Sequence, residues 1–309
     1  MSILFSWENG NAELWRRAFA DRLPGHAFHV YPDVGAVDDI AYALVWMPPI
    51  GDLKRYPNLK AIFSIGAGCD HILRDPEVPC HVPIVRLVDD VSVRDMAHVA
   101  LHWVLHFQRN FHLYGAQQRQ ALWQRHAFAD ASEFRIGILG LGGMGTPIAR
   151  LIADLGFDVA GWSRTRKAID NVTCHAGRDG LDDLLQRSDM IISVLPLTPD
   201  TDGLLDRAAF ARMQPGSFLV NIGRGPVIND ADLIAALDAG QLAAAALDVF
   251  AVEPLPADHP FWHHPHVHIT PHAAGPTKDI SAIAEIAQNI ERIERGAAPH
   301  PVWNWQLGY

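Results

Sequence analysis

The sequence predicts an α/β protein with two domains, each built on a parallel sheet that is covered by helices. Three observations lead to this prediction. The 309 residues are about the length of two ordinary domains. Short apolar runs alternate with amphipathic segments along most of the chain, which is the pattern of a parallel sheet between helices. Near the middle of the chain, one apolar run leads into a glycine-rich turn and then into a helical pattern.

The first series of elements is predicted to contain four buried strands: Ser2–Phe5, Phe28–Tyr31, Tyr42–Trp46 and Leu59–Ser64. Helical segments are expected between these strands at Ala12–Arg22 and Gly51–Tyr56. A long helix is predicted next over Ser92–Tyr114, with Ser92 as its candidate N-cap. Helical spacing assigns its buried face to four residues: Ala97, Leu101, Val104 and Leu105.

A second α/β series follows the long helix. Its six predicted strands are Arg135–Leu139, Asp158–Trp162, Met190–Val194, Ser217–Ile222, Ala243–Val249 and Val267–Thr270. Ala282–Arg295 is predicted as the last helix, and we expect it to pack back on the first series. The expected domains are therefore residues 1–95 with 276–309, and residues 96–275.

Composition and charge argue against several classes of protein. With 25 basic and 35 acidic residues, the net charge of −10 gives no general attraction to nucleic acid or anionic membranes. The three cysteines have no metal-ligand spacing and are typical of unpaired thiols in a reducing compartment. No signal-peptide pattern is evident, and the apolar run near residues 100–107 is too short to cross a bilayer. We therefore expect a cytoplasmic protein.

The glycine-rich turn has the pattern of a dinucleotide site. The strand Arg135–Leu139 runs into Gly140-Leu-Gly142-Gly143-Met144-Gly145, and a helical pattern follows over Thr146–Leu155. In this setting the first glycine makes the tight turn, the second lets the backbone approach a pyrophosphate, and the third allows helix–strand packing. The free N–H groups of the helix N-terminus favour phosphate. We expect two Rossmann-like domains, one flavodoxin-like and one dinucleotide-binding, with a cleft between them.

The end of the next strand favours NADP(H) over NAD(H). NAD enzymes place an Asp or Glu there, on the ribose hydroxyls. This chain has a hydroxyl and a basic run instead: Ser163, Arg164, Thr165, Arg166 and Lys167. A carboxylate would repel the 2′-phosphate of NADP, whereas an Arg can bind it through its planar fork of donors. The alternative is a solvated basic turn with no ligand.

Three further motifs follow predicted strands, where ligands gather in open α/β sheets. They are Asn221-Ile-Gly-Arg224-Gly-Pro, Leu247-Asp248-Val-Phe-Ala-Val-Glu253-Pro and Thr270-Pro-His272-Ala-Ala-Gly275. Together with the glycine turn, they resemble the D-2-isomer-specific 2-hydroxyacid dehydrogenases over nearly the whole chain. Within that family the chain is most similar to the glyoxylate/hydroxypyruvate reductase A branch. The marks of the branch are Val45-Trp-Met-Pro-Pro49, Gly66-Ala-Gly-Cys-Asp70, Trp162-Ser-Arg-Thr-Arg-Lys167 and Gly308-Tyr309.

The resemblance implies that Arg224, Glu253 and His272 form the catalytic set. Reduction of a 2-oxo acid puts negative charge on the carbonyl oxygen, so a proton must be supplied there, and histidine can supply it near neutral pH. A carboxylate beside the ring stabilises imidazolium, so we expect Glu253 to raise the pKa of His272. Arg224 can bridge the substrate carboxylate and polarise the carbonyl. Taken singly, each of the three has the alternative of an exposed, non-catalytic side chain.

The resemblance also implies other binding residues. Cofactor contacts are expected from Leu195, Pro196, Ile222, Gly223, Arg224, Asp248 and His272, besides the glycine turn and the basic run. Ala67 and Gly68 are expected to hold the substrate carboxylate, in a turn that is also compatible with a plain β–α connection. Trp46 has two open interpretations, the wall of a small pocket or part of the core. The six histidines between His259 and His272 lack a metal-ligand pattern, so no metal is expected.

The sequence therefore predicts NADPH-dependent reduction of a small 2-oxo acid, with glyoxylate and hydroxypyruvate as the expected substrates and NAD(H) as a weaker cofactor. One alternative is a dehydrogenase of the same fold for a bulkier 2-oxo acid or phosphoglycerate. Another is a dinucleotide-sensing protein without turnover. The family resemblance implies a homodimer, and the long helix with the stretch Gln117–His126, which carries Trp123, is the candidate interface. The alternative is that the helix packs only within its own chain.

Overall fold

The structure, a computed structural model, describes residues 1–308, so Tyr309, one of the marks of the branch, lies outside the described residues. The chain divides into two compact units. One comprises Met1–Ser92 with the chain from Thr277 onward, and the other comprises Val93–Pro276. The expected boundaries after residues 95 and 275 lie close to these. Both sheets are parallel throughout, which confirms the predicted α/β fold class.

The first unit contains a five-stranded sheet in the order β2-β1-β3-β4-β5, the strand order of flavodoxin-like folds. The strands are β1 Ser2–Ser6, β2 Ala27–Val30, β3 Ile40–Val45, β4 Ala61–Ser64 and β5 Ile84–Val85. Its helices are α1 Ala12–Arg22, α2 Asp70–Leu73 and α9 Asp279–Glu294. The strands β1, β3 and β4 are buried along their whole length, as the continuous apolar runs of the sequence predict.

The last helix belongs to this first unit. Apolar residues of α9, Ile283 and Ile290 among them, share a buried cluster with Trp15 and Phe19 of α1. The indole N–H of Trp15 also donates to the carboxylate of Asp279 at 2.8 Å. The chain thus returns after residue 276 to cover the sheet on which it began.

The second unit contains a seven-stranded sheet in the order β12-β11-β10-β9-β6-β7-β8. Six of these strands have the Rossmann order 3-2-1-4-5-6, and its switch point lies between β6 and β9. The strands are β6 Arg135–Leu139, β7 Asp158–Ser163, β8 Thr173–Ala176, β9 Met190–Ser193, β10 Ser217–Asn221, β11 Leu242–Leu247 and β12 Val267–Ile269. The helices are α3 Asp90–Gln108, which begins before the unit boundary, α4 Phe111–Arg119, α5 Gly145–Asp154, α6 Gly177–Arg187, α7 Arg207–Arg212 and α8 Asp230–Asp238.

The predicted long helix Ser92–Tyr114 is wrong in two respects. It is two helices, because Asn110 adopts a left-handed backbone conformation with φ of 61° between α3 and α4. Asparagine tolerates that conformation better than most residues. Ser92 is not the N-cap: it lies inside α3, and its N–H donates to the carboxylate of Asp89 at 2.7 Å.

The buried face of α3 also differs from the prediction. Ala97 and Val104 are buried as expected, but Leu105 is 40% exposed. The core-facing stripe consists instead of Ala97, Ala100, Trp103, Val104 and Phe107. The large side chains of Trp103 and Phe107 determine which face of α3 is buried, because aromatic side chains bury more area than Leu101 and Leu105 would.

Another predicted helix is shorter in the structure. The segment Gly51–Tyr56 forms only one 3-10 turn, Leu53–Arg55. Four further single turns of this kind occur at Val37–Asp39, Ala131–Glu133, Gly225–Val227 and Pro260–His263. Among the described residues, no helix is long and apolar enough to span a membrane.

Candidate active site

An imidazole and a carboxylate from two loops of the second unit form a hydrogen-bonded pair. His272 lies after β12 and Glu253 lies after β11. The distance from His272 Nδ1 to Glu253 Oε2 is 2.7 Å. Because Glu253 occupies the Nδ1 side of the ring, Nε2 is the nitrogen that remains for a ligand. The arrangement is that of a carboxylate-oriented acid–base histidine.

The electrostatic state of Glu253 fits this pairing. Burial acts to raise the pKa of Glu253, but the hydrogen bonds from His272 and from the Phe250 amide, with the charges of His272 and Arg224, outweigh it. The net effect is a lowered pKa, so Glu253 is a carboxylate at neutral pH. The amide N–H of Phe250 donates to its other oxygen, Oε1, at 2.9 Å. Both oxygens are therefore fixed, which sets the plane of the carboxylate.

Arg224 lies in the loop after β10, close enough for its charge to lower the pKa of Glu253. One guanidinium nitrogen donates to the carbonyl of Gly223 at 2.8 Å. Asn221, fully buried at the end of β10, donates to the carbonyl of Arg224 at 2.9 Å and accepts from the N–H of Gly223 at 3.1 Å. The structure thus brings the three predicted catalytic residues together on one unit.

Asp248 organises the loop that carries His272. Its carboxylate accepts hydrogen bonds from the Thr270 hydroxyl at 2.6 Å and from the amides of Ala273 at 2.8 Å and Ala274 at 3.0 Å. Its backbone carbonyl accepts from the N–H of His272 at 2.8 Å. The loop holds His272 at φ of 49°, a conformation that non-glycine residues rarely adopt. Asp248 is only 1% exposed, and its expected contact with a cofactor stays a prediction.

The glycine turn between β6 and α5 combines a close backbone contact with open space. A side chain at Gly145 would place its Cβ 1.7 Å from the carbonyl oxygen of Gly140, so only glycine fits there. At Gly142 a Cβ would have no non-neighbouring atom of the described residues within 4 Å. Within residues 1–308, the N–H groups of Gly142, Gly143 and Met144 have no acceptor. Free donors beside open space fit an anionic group of a dinucleotide.

The chain after β9 lies very close to the chain after β10. A Cβ at Gly223 would lie 2.7 Å from the carbonyl oxygen of Leu195, so glycine is required at this crossing. Leu195, Ile222 and Gly223 are buried and Pro196 is half-buried. Leu195 and Pro196 follow β9, which borders the switch point of the sheet. The contact of these four residues with a cofactor remains a prediction.

The basic run lies at the end of β7. The hydroxyl of Ser163 donates to the carbonyl of Thr165 at 2.8 Å and so bends the chain into a turn. The side chains of Arg164, Thr165, Arg166 and Lys167 are exposed. Three cations on one exposed turn can bind a phosphate.

The two predicted substrate-binding segments of the first unit lie next to each other. Trp46 directly follows β3, and the turn Gly66–Gly68 follows β4. The Trp46 ring packs against Gly66, where a Cβ would lie 2.7 Å from Cζ3 of the indole. Trp46 is half-buried, and its ring centroid is 4.3 Å from that of His71. The tryptophan therefore borders the turn, and it also packs against the buried cluster of the first unit.

A family model for the NAD binding domain of D-isomer specific 2-hydroxyacid dehydrogenases matches residues 101–274. The glyoxylate/hydroxypyruvate reductase A of Serratia proteamaculans is 40% identical, with full coverage of both chains, and that of Yersinia enterocolitica is equally similar. The chain belongs to the D-isomer specific 2-hydroxyacid dehydrogenase family. The resemblance seen in the motifs is confirmed.

Solved structures of this family superpose on the whole chain. A dehydrogenase from Xanthobacter autotrophicus, solved with NADPH and MES, is 37% identical, with a TM-score of 0.96 and coverage of 100% of this chain and 99% of that chain. An NADPH-dependent glyoxylate/hydroxypyruvate reductase from Sinorhizobium meliloti, solved with NADP and sulfate, is 34% identical, with a TM-score of 0.92 and full coverage of both chains.

The family motifs did not indicate every residue that supports this dehydrogenase's candidate site. Asn221 and Thr270 belong to quoted motifs, yet their hydrogen bonds to the loops of Arg224 and Asp248 follow only from the coordinates. The histidines between His259 and His272 hold no metal cluster in the described part of the chain, where no three His, Cys, Asp or Glu residues are suitably grouped. His259 and His264 instead lie near Asp230 and Asp238, at 3.5 and 3.3 Å.

Proposed function

We propose that this dehydrogenase reduces glyoxylate and hydroxypyruvate with NADPH and forms the D-2-hydroxy acid. The observation that carries the proposal is the His272–Glu253 pair, 2.7 Å apart, with Arg224 beside it. The substrate class is supported by relatives named glyoxylate/hydroxypyruvate reductase A that match the chain over its full length. An intact proton donor favours catalysis over a dinucleotide-sensing role without turnover.

NADP(H) is the proposed cofactor, and NAD(H) a weaker one. The glycine turn from Gly140 to Gly145, with its free N–H groups, would hold the pyrophosphate. Arg164 and its basic neighbours would hold the 2′-phosphate, where an NAD enzyme has a carboxylate. Related structures of the family contain NADPH or NADP. Two of these are more than 33% identical and superpose on the whole chain.

The chain's own residues would supply binding, orientation and a proton. When NADPH is bound, its nicotinamide supplies the hydride that reduces the keto carbon. His272 would donate a proton from Nε2 to the keto oxygen, and the ionised Glu253 would stabilise the imidazolium before that transfer. Arg224 would polarise the keto group and bind the substrate carboxylate. In the first unit, Ala67 and Gly68 would bind a carboxylate oxygen through their N–H groups, with Trp46 beside them.

We also propose a cytoplasmic homodimer. The segment from Phe111 to Phe128, here called the arm, presents several exposed apolar side chains: Phe111, Leu122, Trp123 and Phe128. Trp123 is 95% exposed, which is unusual for a residue with so large an apolar surface. The guanidinium of Arg109 lies over the ring of Phe128 at 4.2 Å and fixes one end of the arm. None of the cysteines in the described residues forms a disulfide, which is compatible with a reducing compartment.

The proposed function is tested by following the absorbance of NADPH and of NADH with glyoxylate, hydroxypyruvate and pyruvate. The expected result is rapid oxidation of NADPH with the first two acids, slower reaction with pyruvate and much weaker use of NADH. No oxidation with any of these acids would refute the proposal. Faster reaction with pyruvate or a bulkier 2-oxo acid would reassign the substrate.

A further inference from the structure

The turn Gly66–Gly68 has an asymmetric pattern of backbone hydrogen bonds. All three of its carbonyl oxygens accept a hydrogen bond from the protein: Gly66 from the Leu87 amide at 3.2 Å, Ala67 from Arg86 Nε at 2.8 Å, and Gly68 from the Ser64 hydroxyl at 2.8 Å. Within residues 1–308, the three N–H groups of the turn have no acceptor. The turn therefore has its acceptors engaged and its donors available.

The hydrogen bond to Gly68 is the last in a series of hydrogen bonds that begins at Met47. The amide of Met47 donates to His71 Nδ1 at 3.1 Å, so the ring proton of a neutral His71 lies on Nε2. Nε2 is 2.8 Å from the Ser64 hydroxyl oxygen, which accepts a hydrogen bond from Nε2–H. The Ser64 hydroxyl in turn donates a hydrogen bond to the Gly68 carbonyl. Both side chains are buried, His71 at 5% and Ser64 at 1% exposure. The Met47 amide thus fixes the donor-to-acceptor direction of every hydrogen bond in this series.

The hydrogen bond to Ala67 comes from a charged group. Arg86 is half-buried, and its Nε lies 2.8 Å from the Ala67 carbonyl. Hydrogen bonds from a guanidinium are stronger than those between neutral groups. The backbone N–H of Arg86 is fixed as well, because it donates to the carbonyl of Pro301 at 2.9 Å. Arg86 is therefore anchored on one side and holds the middle of the turn on the other.

We propose that Arg86 and the Ser64–His71 pair are positioning residues for the substrate carboxylate. By fixing the carbonyls of Ala67 and Gly68, they keep the N–H groups of the turn preorganised for an anion, so binding requires little reorganisation. The inference rests on the proposed function in one respect, because it takes the ligand of the turn to be the carboxylate of a 2-oxo acid. It predicts an effect on the KM for that acid and little effect on the chemical step.

Three substitutions of Arg86 separate its hydrogen bond from its charge. Arg86→Gln places an N–H donor the same number of bonds from Cα as Nε, without charge. Arg86→Lys keeps the charge but has a methylene at that position, and Arg86→Met has neither donor nor charge. We expect Arg86→Met and Arg86→Lys to raise the KM for glyoxylate about tenfold, the usual effect of one lost hydrogen bond to a charged group. Arg86→Gln should recover most of that loss.

In these variants kcat and the KM for NADPH should stay near the wild-type values. The matched control is Arg17→Met, which removes an exposed arginine that pairs with Glu13 on α1. It should not change the KM for glyoxylate. The inference is overturned if Arg86→Lys recovers the KM and Arg86→Gln does not, because charge alone would then explain the effect. An unchanged KM in Arg86→Met would overturn it as well.

Ser64→Ala tests the role of the Ser64–His71 pair independently of Arg86, and thermal unfolding checks that the variant is folded. It should raise the KM for glyoxylate, and an unchanged KM in the folded variant would refute the role of the Ser64–His71 pair. In the ligand-free protein, histidine ¹⁵N NMR should find the His71 proton on Nε2. A proton on Nδ1 would contradict the proposed direction of the hydrogen bonds from Met47 to Gly68.

If the proposed function is wrong, the wild-type chain will oxidise no NADPH with any 2-oxo acid, a result different from those that overturn the inference. In that case oxalate serves as the probe. It should shift the amide resonances of Gly66, Ala67 and Gly68 in the wild type, and do so less in Arg86→Met. Equal shifts in the two proteins would overturn the inference.

Discussion

At the scale of single residues, the position of His272 depends on a balance between strain and hydrogen bonding. Its left-handed backbone costs about 1–2 kcal/mol relative to ordinary conformations. Its N–H donates to the carbonyls of Asp248 and Thr270 at 2.8 and 3.1 Å, and its ring pairs with Glu253. Hydrogen bonds contribute about 1 kcal/mol each, and those to a carboxylate contribute more. These bonds offset the strain, and the imidazole is held where Glu253 can orient it.

The first prediction concerns Arg164 and the choice of cofactor. Arg164→Asp should reverse the charge at the expected 2′-phosphate position and lower kcat/KM for NADPH by about tenfold or more, because a charge-assisted hydrogen bond is replaced by repulsion. The efficiency with NADH should fall much less. Steady-state kinetics with both cofactors measure the ratio, and Arg178→Asp, on helix α6, is the control. An unchanged ratio would leave the basic run as a solvated turn.

Motif residues could be predicted from the sequence, but most of the residues that hold them could not. Arg224, Glu253 and His272 stand in recognisable motifs at strand ends, and the structure brings them together. His71 and Arg86 act on backbone atoms of other loops, at positions that no spacing in the sequence indicates. Hydrogen bonds to the backbone depend on the fold and not on the type of the residue that receives them, so they leave no local pattern.

At the scale of elements, a histidine-rich cluster joins α3, α4 and β12. The ring of His106 lies 5.0 Å from that of His268 and 6.2 Å from that of His112, measured between centroids. Burial, followed by the charges of His268, His102 and His112, lowers the pKa of His106 to about 4. Burial is also the largest cause for His112, together with the charges of His268, His266 and His126, and its pKa is lowered to about 4 against a weaker raising effect of the His106 backbone.

The second prediction concerns the acid stability that follows from this cluster. Both pKa values lie below the value of about 6.5 expected for an unfolded histidine. Between pH 6.5 and 4 the unfolded chain therefore binds more protons than the folded chain, and stability must fall as the pH falls through that window. Urea unfolding at several pH values should show a shallower loss in His106→Phe than in the wild type. The exposed His263→Gln is the control, and equal slopes in all three proteins would contradict the account.

Elements with a strong apolar pattern could be predicted well, and elements with a weak pattern could not. The strand Arg135–Leu139 and the helix Ala12–Arg22 have the predicted bounds, because a buried strand and an amphipathic helix leave strong apolar patterns. The two-residue strand β5 and the four-residue edge strand β8 were missing from the prediction, because so few residues carry little periodicity. The break at Asn110 is a single backbone conformation inside a continuous helical pattern, so spacing could not reveal it.

At the scale of the whole molecule, the family assignment applies to both units of the chain. The chain covers its curated relatives from end to end, so both units have counterparts in proteins named glyoxylate/hydroxypyruvate reductase A. The net charge of −10 makes local cations necessary for binding an anionic acid and an anionic cofactor. The cations of the proposed sites are Arg224 and the basic run after β7. Both proposed anion sites therefore contain positive charge.

The third prediction concerns the arm and the proposed homodimer. Trp123→Asp should raise the dimer dissociation constant by at least about thirtyfold, since a buried interface tryptophan commonly contributes 2 kcal/mol or more. Light scattering coupled to size exclusion, over a range of concentrations, measures the mass. Trp305→Asp removes an exposed tryptophan of the other unit and serves as the control. A wild-type chain that is monomeric at all concentrations, or a Trp123→Asp variant that stays dimeric, would refute the interface.

The measurement that tests the central claim most directly is turnover of glyoxylate by His272→Gln, with the affinity for NADPH measured on the same protein. If His272 is the proton donor, kcat should fall by about 10²–10⁴-fold, because that is the usual contribution of a positioned acid. The dissociation constant for NADPH should change little, since the glycine turn and the basic run are intact. Turnover close to that of the wild type would show that His272 does not supply the proton, and the proposed mechanism would be wrong.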